Sequence, residues 1–212
     1  MKKELPERFY QVLANVLSER LGLFKPHFRR GLSVAPGAFD RLLQQAFPAL
    51  QLERKEEVAN TPQTPYDLVF GPLLTHPDDI PFFQRILARG GLLLGGALGF
   101  NTLKEWRALG LKTPTFVDMH DWGDVFKTMG FEDPVMDQEE ITLLYPSVER
   151  MWEDFQWSGV PELPKHYSED PEGYPVTLEL VYIMAWRQKG MIQSTRDGEI
   201  IISVDELRSH KS

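Results

Sequence analysis

The sequence predicts an α/β fold in which a largely parallel sheet carries helices on both faces. Strand-like and helix-like patterns alternate through most of the 212 residues, the order that builds βαβ units. The stretch from Pro65 to Phe100, PYDLVFGPLLTHPDDIPFFQRILARGGLLLGGALGF, reads as a buried strand, a loop able to face a ligand, an amphipathic helix, a Gly-Gly turn and a second buried strand. Within it, Asp67 to Phe70 and Leu92 to Leu98 are apolar without alternation, as strands covered on both faces are.

The elements follow in order. Leu5 to Leu23 places Phe9, Val12, Leu13, Val16, Leu17 and Leu21 on one helix face, and Pro26 stops it. Gly31 to Val34 is a short strand, Ala38 to Phe47 a helix after Pro36-Gly37, and Leu50 to Glu53 a second short strand. Glu56 to Thr64 is polar and bounded by prolines, hence a loop. Pro77-Asp78-Asp79 starts a helix burying Phe82, Ile86 and Leu87, with acidic residues at the positive end of its dipole. A helix follows from about Trp122 to Met129, ended by Gly130, then a strand at Glu140 to Tyr145 and a helix from Ser147 to Trp157. Val176 to Trp186 reads as a long strand, and Glu199 to Val204 as a final one. The late strands look antiparallel. The proline-rich stretch Val160 to Pro175 is a loop inside the domain, because the strand after it has nowhere else to bury.

Composition bounds the function. The chain is long enough for one large α/β domain, and its 42% hydrophobic and 25% charged residues are those of an ordinary globule. A net charge of −8 disfavours nucleic acid or an anionic membrane as partner. The absence of cysteine excludes disulfides, thiolate zinc sites and cysteine nucleophiles. No apolar run is long enough for a membrane span, and MKKELPERFYQVL has no apolar core of a secretory signal, so the expected location is cytoplasmic.

The segments YDLVFGPLLTHPDDIPFFQRILARGGLLLGGALGFNTLKEWRAL, FVDMHDWGDVFKTMGFEDPVMDQEEITLLYPSVERMWEDFQWSG and YPVTLELVYIMAW together resemble class I S-adenosylmethionine-dependent methyltransferases. Within that family they look like the malonyl-carrier-protein O-methyltransferases of biotin synthesis and the related mitochondrial complex I assembly factor. The resemblance runs over roughly Pro65 to Trp186. It implies a Rossmann-like sheet of order 2-1-4-5-7-6 in the family's strand numbering, with the family's third strand missing. The family's fourth strand is Asp67 to Phe70, the fifth Leu92 to Leu98, the sixth near Glu140 to Tyr145 and the seventh Leu178 to Trp186. The whole chain, 1–212, reads as one domain: an N-terminal helix over 1–30, a degenerate cofactor half over 31–64 and a retained C-terminal half over 65–212.

The chain departs from the family where the cofactor should bind. The family ends its first strand in an acidic residue and a glycine-rich turn, which lets backbone N–H groups approach the ligand. Here Gly31-Leu32-Ser33-Val34-Ala35-Pro36-Gly37 falls on that motif. Ser33 and Ala35 stand where glycines are usual, only Gly37 survives, and Pro36 removes a donor. The family also places an acid after its second strand for the ribose hydroxyls, and Glu53 is the one candidate, although it lies in a charged run. Only 13 residues separate Glu53 from Asp67, too few for a helix and a third strand. If the cofactor binds, the resemblance puts Gly37, Glu53, Phe70 and Gly71 around it.

On the substrate side, His76 follows the family's fourth strand where a pocket residue is common, and Arg107 is near a position suited to an acidic substrate, or is a surface helix arginine. The start ERFYQVLANVLSERL does not match the family's N-terminal segment, and Val160 to Tyr174 is too short for its full substrate lid. Asp118-Met119-His120-Asp121 with Asp124 reads as a helix start, with Asp121 as N-cap, and no metal is expected. Trp152, Trp157 and Trp186 read as core or interface residues, and Ser158 lacks any nucleophile-elbow context. The expectation is a methyltransferase-like, non-catalytic pseudo-enzyme that acts as partner or scaffold and binds S-adenosylmethionine weakly or not at all. The alternative is an active O-methyltransferase acting on a carrier-protein-bound or small carboxylic acid. The missing strand bares a sheet edge, and lid loss uncovers Leu73, Leu74 and Phe100. Together these predict a homodimer or a complex with another methyltransferase-family chain.

Overall fold

A computed structural model of the chain describes residues 15, 28–34, 38–55, 64–74, 77–158, 173–189, 193–194 and 200–201. The predicted N-terminal helix lies outside them, Asn15 apart. Six strands form one sheet: β1 Arg30–Ser33, β2 Gln51–Arg54, β3 Tyr66–Leu74, β4 Leu87–Leu98, β5 Phe131–Tyr145 and β6 Tyr174–Arg187. Their order is β2-β1-β3-β4-β6-β5. β1 pairs in parallel with β2 and β3, and β3 with β4, whereas β6 runs antiparallel to both β4 and β5. In the family's numbering this is 2-1-4-5-7-6, and among the described residues no strand stands where the third would be. β7 Gln193–Ser194 and β8 Ile200–Ile201 form a separate two-stranded ladder, so only that part of the predicted final strand is seen as strand.

Helices cover both faces for a topological reason. The chain leaves β1 leftward through α1 Ala38–Ala46 to reach β2, and leaves β3 rightward through α2 Ile80–Ile86 to reach β4. Crossovers of the same hand taken in opposite directions put their helices on opposite faces. On one face α1, α3 Lys104–Ala108 and α5 Val148–Phe155 bury Phe39, Leu43, Trp106, Met151 and Phe155 against the sheet. On the other, α2 and α4 Met119–Thr128 bury Ile80, Phe83, Ile86, Trp122 and Phe126. In α1, α4 and α5 the buried pairs Phe39/Leu43, Trp122/Phe126 and Met151/Phe155 are four residues apart, the spacing that keeps both on one stripe. No described helix is long and apolar enough to cross a membrane.

Several boundaries move. α4 begins at Met119, because Asp118 is its N-cap and accepts a hydrogen bond from the His120 N–H at 2.8 Å, so Asp121 is not the cap. β5 starts at Phe131 rather than Glu140. It is an edge strand with polar residues through its middle, and a bulge between Glu132 and Val135 carries Asp133 at φ 41°. Gly90 and Gly91 lie inside extended β4 rather than in a turn before it. Gly90 takes φ 73°, and the strand bulges against Tyr66 to Leu68 before regular pairing resumes at Leu92. β3 runs on to Leu74, four residues past Phe70, and this buries Leu73 and Leu74 (9% and 2% exposed). The expected apolar patch therefore loses two of its three members, while Phe100 is 57% exposed.

At Gly91 a Cβ would meet the backbone oxygens of Ala88, Tyr66 and Asp67 at 2.9, 3.0 and 3.1 Å. Backbone on three sides cannot yield as a side chain can. Gly91→Ala should lower stability by about 1–3 kcal/mol, measured as a loss in chemical-denaturation midpoint with unchanged slope.

Candidate functional site

In sheets of this kind, ligands bind outside the carboxyl ends of the strands, where the strand order reverses. Here that point lies between β1 and β3. β1 ends at Ser33, and the Val34 N–H donates to the Phe70 carbonyl at 2.9 Å, while β3 continues beyond as one wall. β2 forms the other side, its exit tied by the Lys55 N–H to the Ser33 carbonyl at 3.0 Å. Two buried oxygens at this crevice have no hydrogen-bond partner: Ser33 Oγ and Asp40 Oδ1, the latter in the first turn of α1.

Of the residues expected around a cofactor, Glu53, Phe70 and Gly71 are described. Gly37, with Ala35 and Pro36, lies outside the described residues, as does His76. Phe70 is buried and packs its ring on Phe39 at 4.5 Å between centroids. Gly71 faces the other layer, where a Cβ would touch Phe83 and Leu93 at ordinary van der Waals distances. Glu53 is half-exposed, and three hydrogen bonds reach its carboxylate. Its Oε1 accepts from Arg30 Nε at 3.1 Å and Nη2 at 2.6 Å, and its Oε2 accepts from the Tyr66 hydroxyl at 2.7 Å. Lys55 Nζ stands 3.8 Å from Oε2. The Arg30 hydrogen bonds, then that of Tyr66, hold the Glu53 carboxyl below its ordinary value. Burial, then the bond to Glu53, pushes the Tyr66 hydroxyl up.

Sequence reasoning missed a second assembly, at the carboxyl end of β4. The loop Gly99 to Leu103 is bound to β6 from end to end. Glu179, 2% exposed, accepts the Asn101 N–H on Oε2 at 2.6 Å, and its carbonyl accepts the Gly99 N–H at 2.8 Å. The Thr102 hydroxyl accepts the Glu179 N–H at 3.1 Å, and the Glu105 carboxylate takes both the N–H and the hydroxyl of Thr177. Gly99 is required, since a Cβ there would sit 2.6 Å from the Glu179 carboxyl. Leu103 is held at φ 59°, a strained setting for a branched side chain. Arg107 belongs to this assembly: it donates to the carbonyls of Phe100 and Thr102 and lies 5.2 Å over the Phe100 ring. The signal was present in two quoted motifs, NTLKEWRAL and VTLELVYIMAW, whose polar residues face one another. Ser158 is buried, and among the described residues no cluster of metal-ligating side chains occurs.

The Arg30–Glu53 pair has a pH signature. A carboxyl lowered in the folded state stabilises the fold above its unfolded value and loses that contribution as pH falls through the folded value. Both groups are partly exposed, so the pair is worth about 1 kcal/mol or less. The difference in thermal midpoint between wild type and Glu53→Gln should be constant near neutrality and shrink below about pH 4.3. A circular-dichroism melting series from pH 3 to 8 checks this.

No protein-family model matches the chain. It is 33% identical over 152 residues to the malonyl-[acyl-carrier protein] O-methyltransferase of Laribacter hongkongensis, covering 57% of this chain and 51% of that protein. It is 30% identical over 183 residues to the Halorhodospira halophila protein of the same name, covering 71% and 62%. The chain thus spans about half to three-fifths of the length of these curated relatives. Among solved structures, a Bacillus halodurans protein described as a methyltransferase superposes with a TM-score of 0.51 at 16% identity, covering 82% of this chain and 98% of that one. The chain therefore has the class I S-adenosylmethionine-dependent methyltransferase fold and is a relative of the malonyl-[acyl-carrier protein] O-methyltransferases.

Proposed function

We propose that this chain is a non-catalytic relative of the carboxyl O-methyltransferases of biotin synthesis, working as a partner or scaffold and holding S-adenosylmethionine weakly or not at all. One observation carries this reading. β2 ends at Arg54 and β3 begins at Tyr66, so the chain returns to the sheet with no room for another helix and strand. The residues at the crevice do not fit the cofactor: Glu53 is held by Arg30 and Tyr66, and Phe70 is turned into the core. The partner proposed is a second copy, or another chain of the methyltransferase family, docking on the truncated side. There β2 is the sheet edge among the described residues. Because Gln51 and Lys55 donate toward β1, alternation turns the N–H and C=O of Leu52 and Arg54 outward.

A specific observation favours a second reading, an active O-methyltransferase for a carrier-bound or small carboxylic acid. Ser33 Oγ and Asp40 Oδ1 are buried without partners beside the crevice, and buried polar atoms of that kind call for a ligand or a water.

Calorimetric titration with S-adenosylmethionine and S-adenosylhomocysteine separates the two. The expected result is a Kd weaker than about 1 mM, since each lost contact of about 1.4 kcal/mol costs tenfold. Micromolar binding at one site per chain would overturn the non-catalytic reading. Light scattering at high concentration should show a dimer if the partner is a second copy.

A further inference from the structure

We propose that Arg30 acts as an internal ligand of Glu53, closing the tip of β2 to the vicinal hydroxyls of an adenosine-type ligand, and that this lock sets the affinity of the protein for such ligands. The inference rests on the weak-binding reading above and supplies its cause at the level of one side chain. In doubly wound folds an acidic residue about 20 positions past the first turn accepts the ribose hydroxyls beside the switch point. Glu53 follows Ser33, the last residue of β1, by 20 positions. A diol needs a carboxylate whose oxygens are free to accept. Here Oε1 already accepts two N–H groups from the Arg30 fork, and Oε2 accepts from Tyr66.

The lock is built rather than incidental. Arg30 Nη1 donates to the Thr64 carbonyl at 2.6 Å, and the guanidinium lies 4.5 Å over the Tyr66 ring. The Arg30 N–H is in turn fixed by Asp67 Oδ2 at 3.0 Å. The Arg30 side chain is thus held on three sides and its backbone on a fourth, so little rotamer freedom is lost in gripping Glu53. Position matters as much as occupancy. Arg30 is the first residue of β1, and Glu53 stands opposite Leu32 in the parallel register. The Glu53 side chain therefore reaches back toward the start of β1, away from the crevice at the strand's carboxyl end.

The test is calorimetric titration of adenosine and S-adenosylhomocysteine into the intact wild type, Arg30→Met, Glu53→Gln and the Arg30→Met/Glu53→Gln double variant. Arg30→Met should bind both ligands at least tenfold more tightly than wild type. Glu53→Gln alone should leave affinity unchanged, and the double variant should return to it. 2′,3′-Dideoxyadenosine, which lacks the diol, should show no gain. Should Arg30→Met lose its near-ultraviolet dichroism, Tyr66→Phe takes its place. It removes one hydrogen bond to the carboxylate with the ion pair intact, and a smaller gain is expected. Equal affinities of wild type and the folded release variant for S-adenosylhomocysteine would overturn the lock while leaving the non-catalytic reading standing. Micromolar binding by the wild type would overturn both.

Discussion

Asp67 ties the two halves of this sheet together. Its Oδ2 accepts the N–H groups of both Arg29 and Arg30, each at 3.0 Å, and so fixes the start of β1 against β3. β1 contributes only Arg30–Ser33, yet among the described strands it alone pairs with β2 and joins it to the rest of the sheet. The charge-assisted clamp at its entry and the bond from Val34 to Phe70 at its exit brace a strand too short to hold its register by packing alone. Where the Asp67 carboxylate places Arg30 also decides which groups Glu53 can reach. The geometry of the crevice is therefore inherited from a contact at the far end of the strand.

The retained half is braced differently. β6 lies between β4 and β5 and is buried on both faces from Val176 to Ala185. Its one fully enclosed carboxylate, Glu179, has its oxygen satisfied by the backbone of the loop it supports. A buried charge left unpaired is costly, so the loop and the strand define one another. Two segments separated by some seventy residues are thus each other's binding partner.

Much of this architecture was legible in the sequence, because apolar runs without alternation mark doubly covered strands and the short span between Glu53 and Asp67 excludes a crossover. The misreadings have physical causes. β5 was read short because an edge strand can be acidic along much of its length, and its Asp133 bulge breaks the period. Loss of the lid predicts Leu73 and Leu74 at a surface, whereas β3 continues past a bulge to Leu74 and buries both. The grip of Arg30 on Glu53 left no sequence signal, since it depends on parallel register between strands and on Tyr66 reaching across β1. For Arg107, a candidate substrate residue or a surface helix arginine, the sequence carries no sign of its bonds to two loop carbonyls.

The two margins of the sheet are unequal. β5 presents Glu132, Asp133, Asp137, Glu139 and Glu140 together with a bulge and Pro134, features that discourage a further strand from joining. β2 carries no such bulge and has one acidic residue, itself neutralised from within. Head-to-tail growth, with β2 of one molecule continuing from β5 of the next, would have to cross that acidic margin. If β2 pairs with a second copy, as proposed, the pairing would close on a two-fold axis, because a sheet able to pair at one margin alone cannot propagate into a filament.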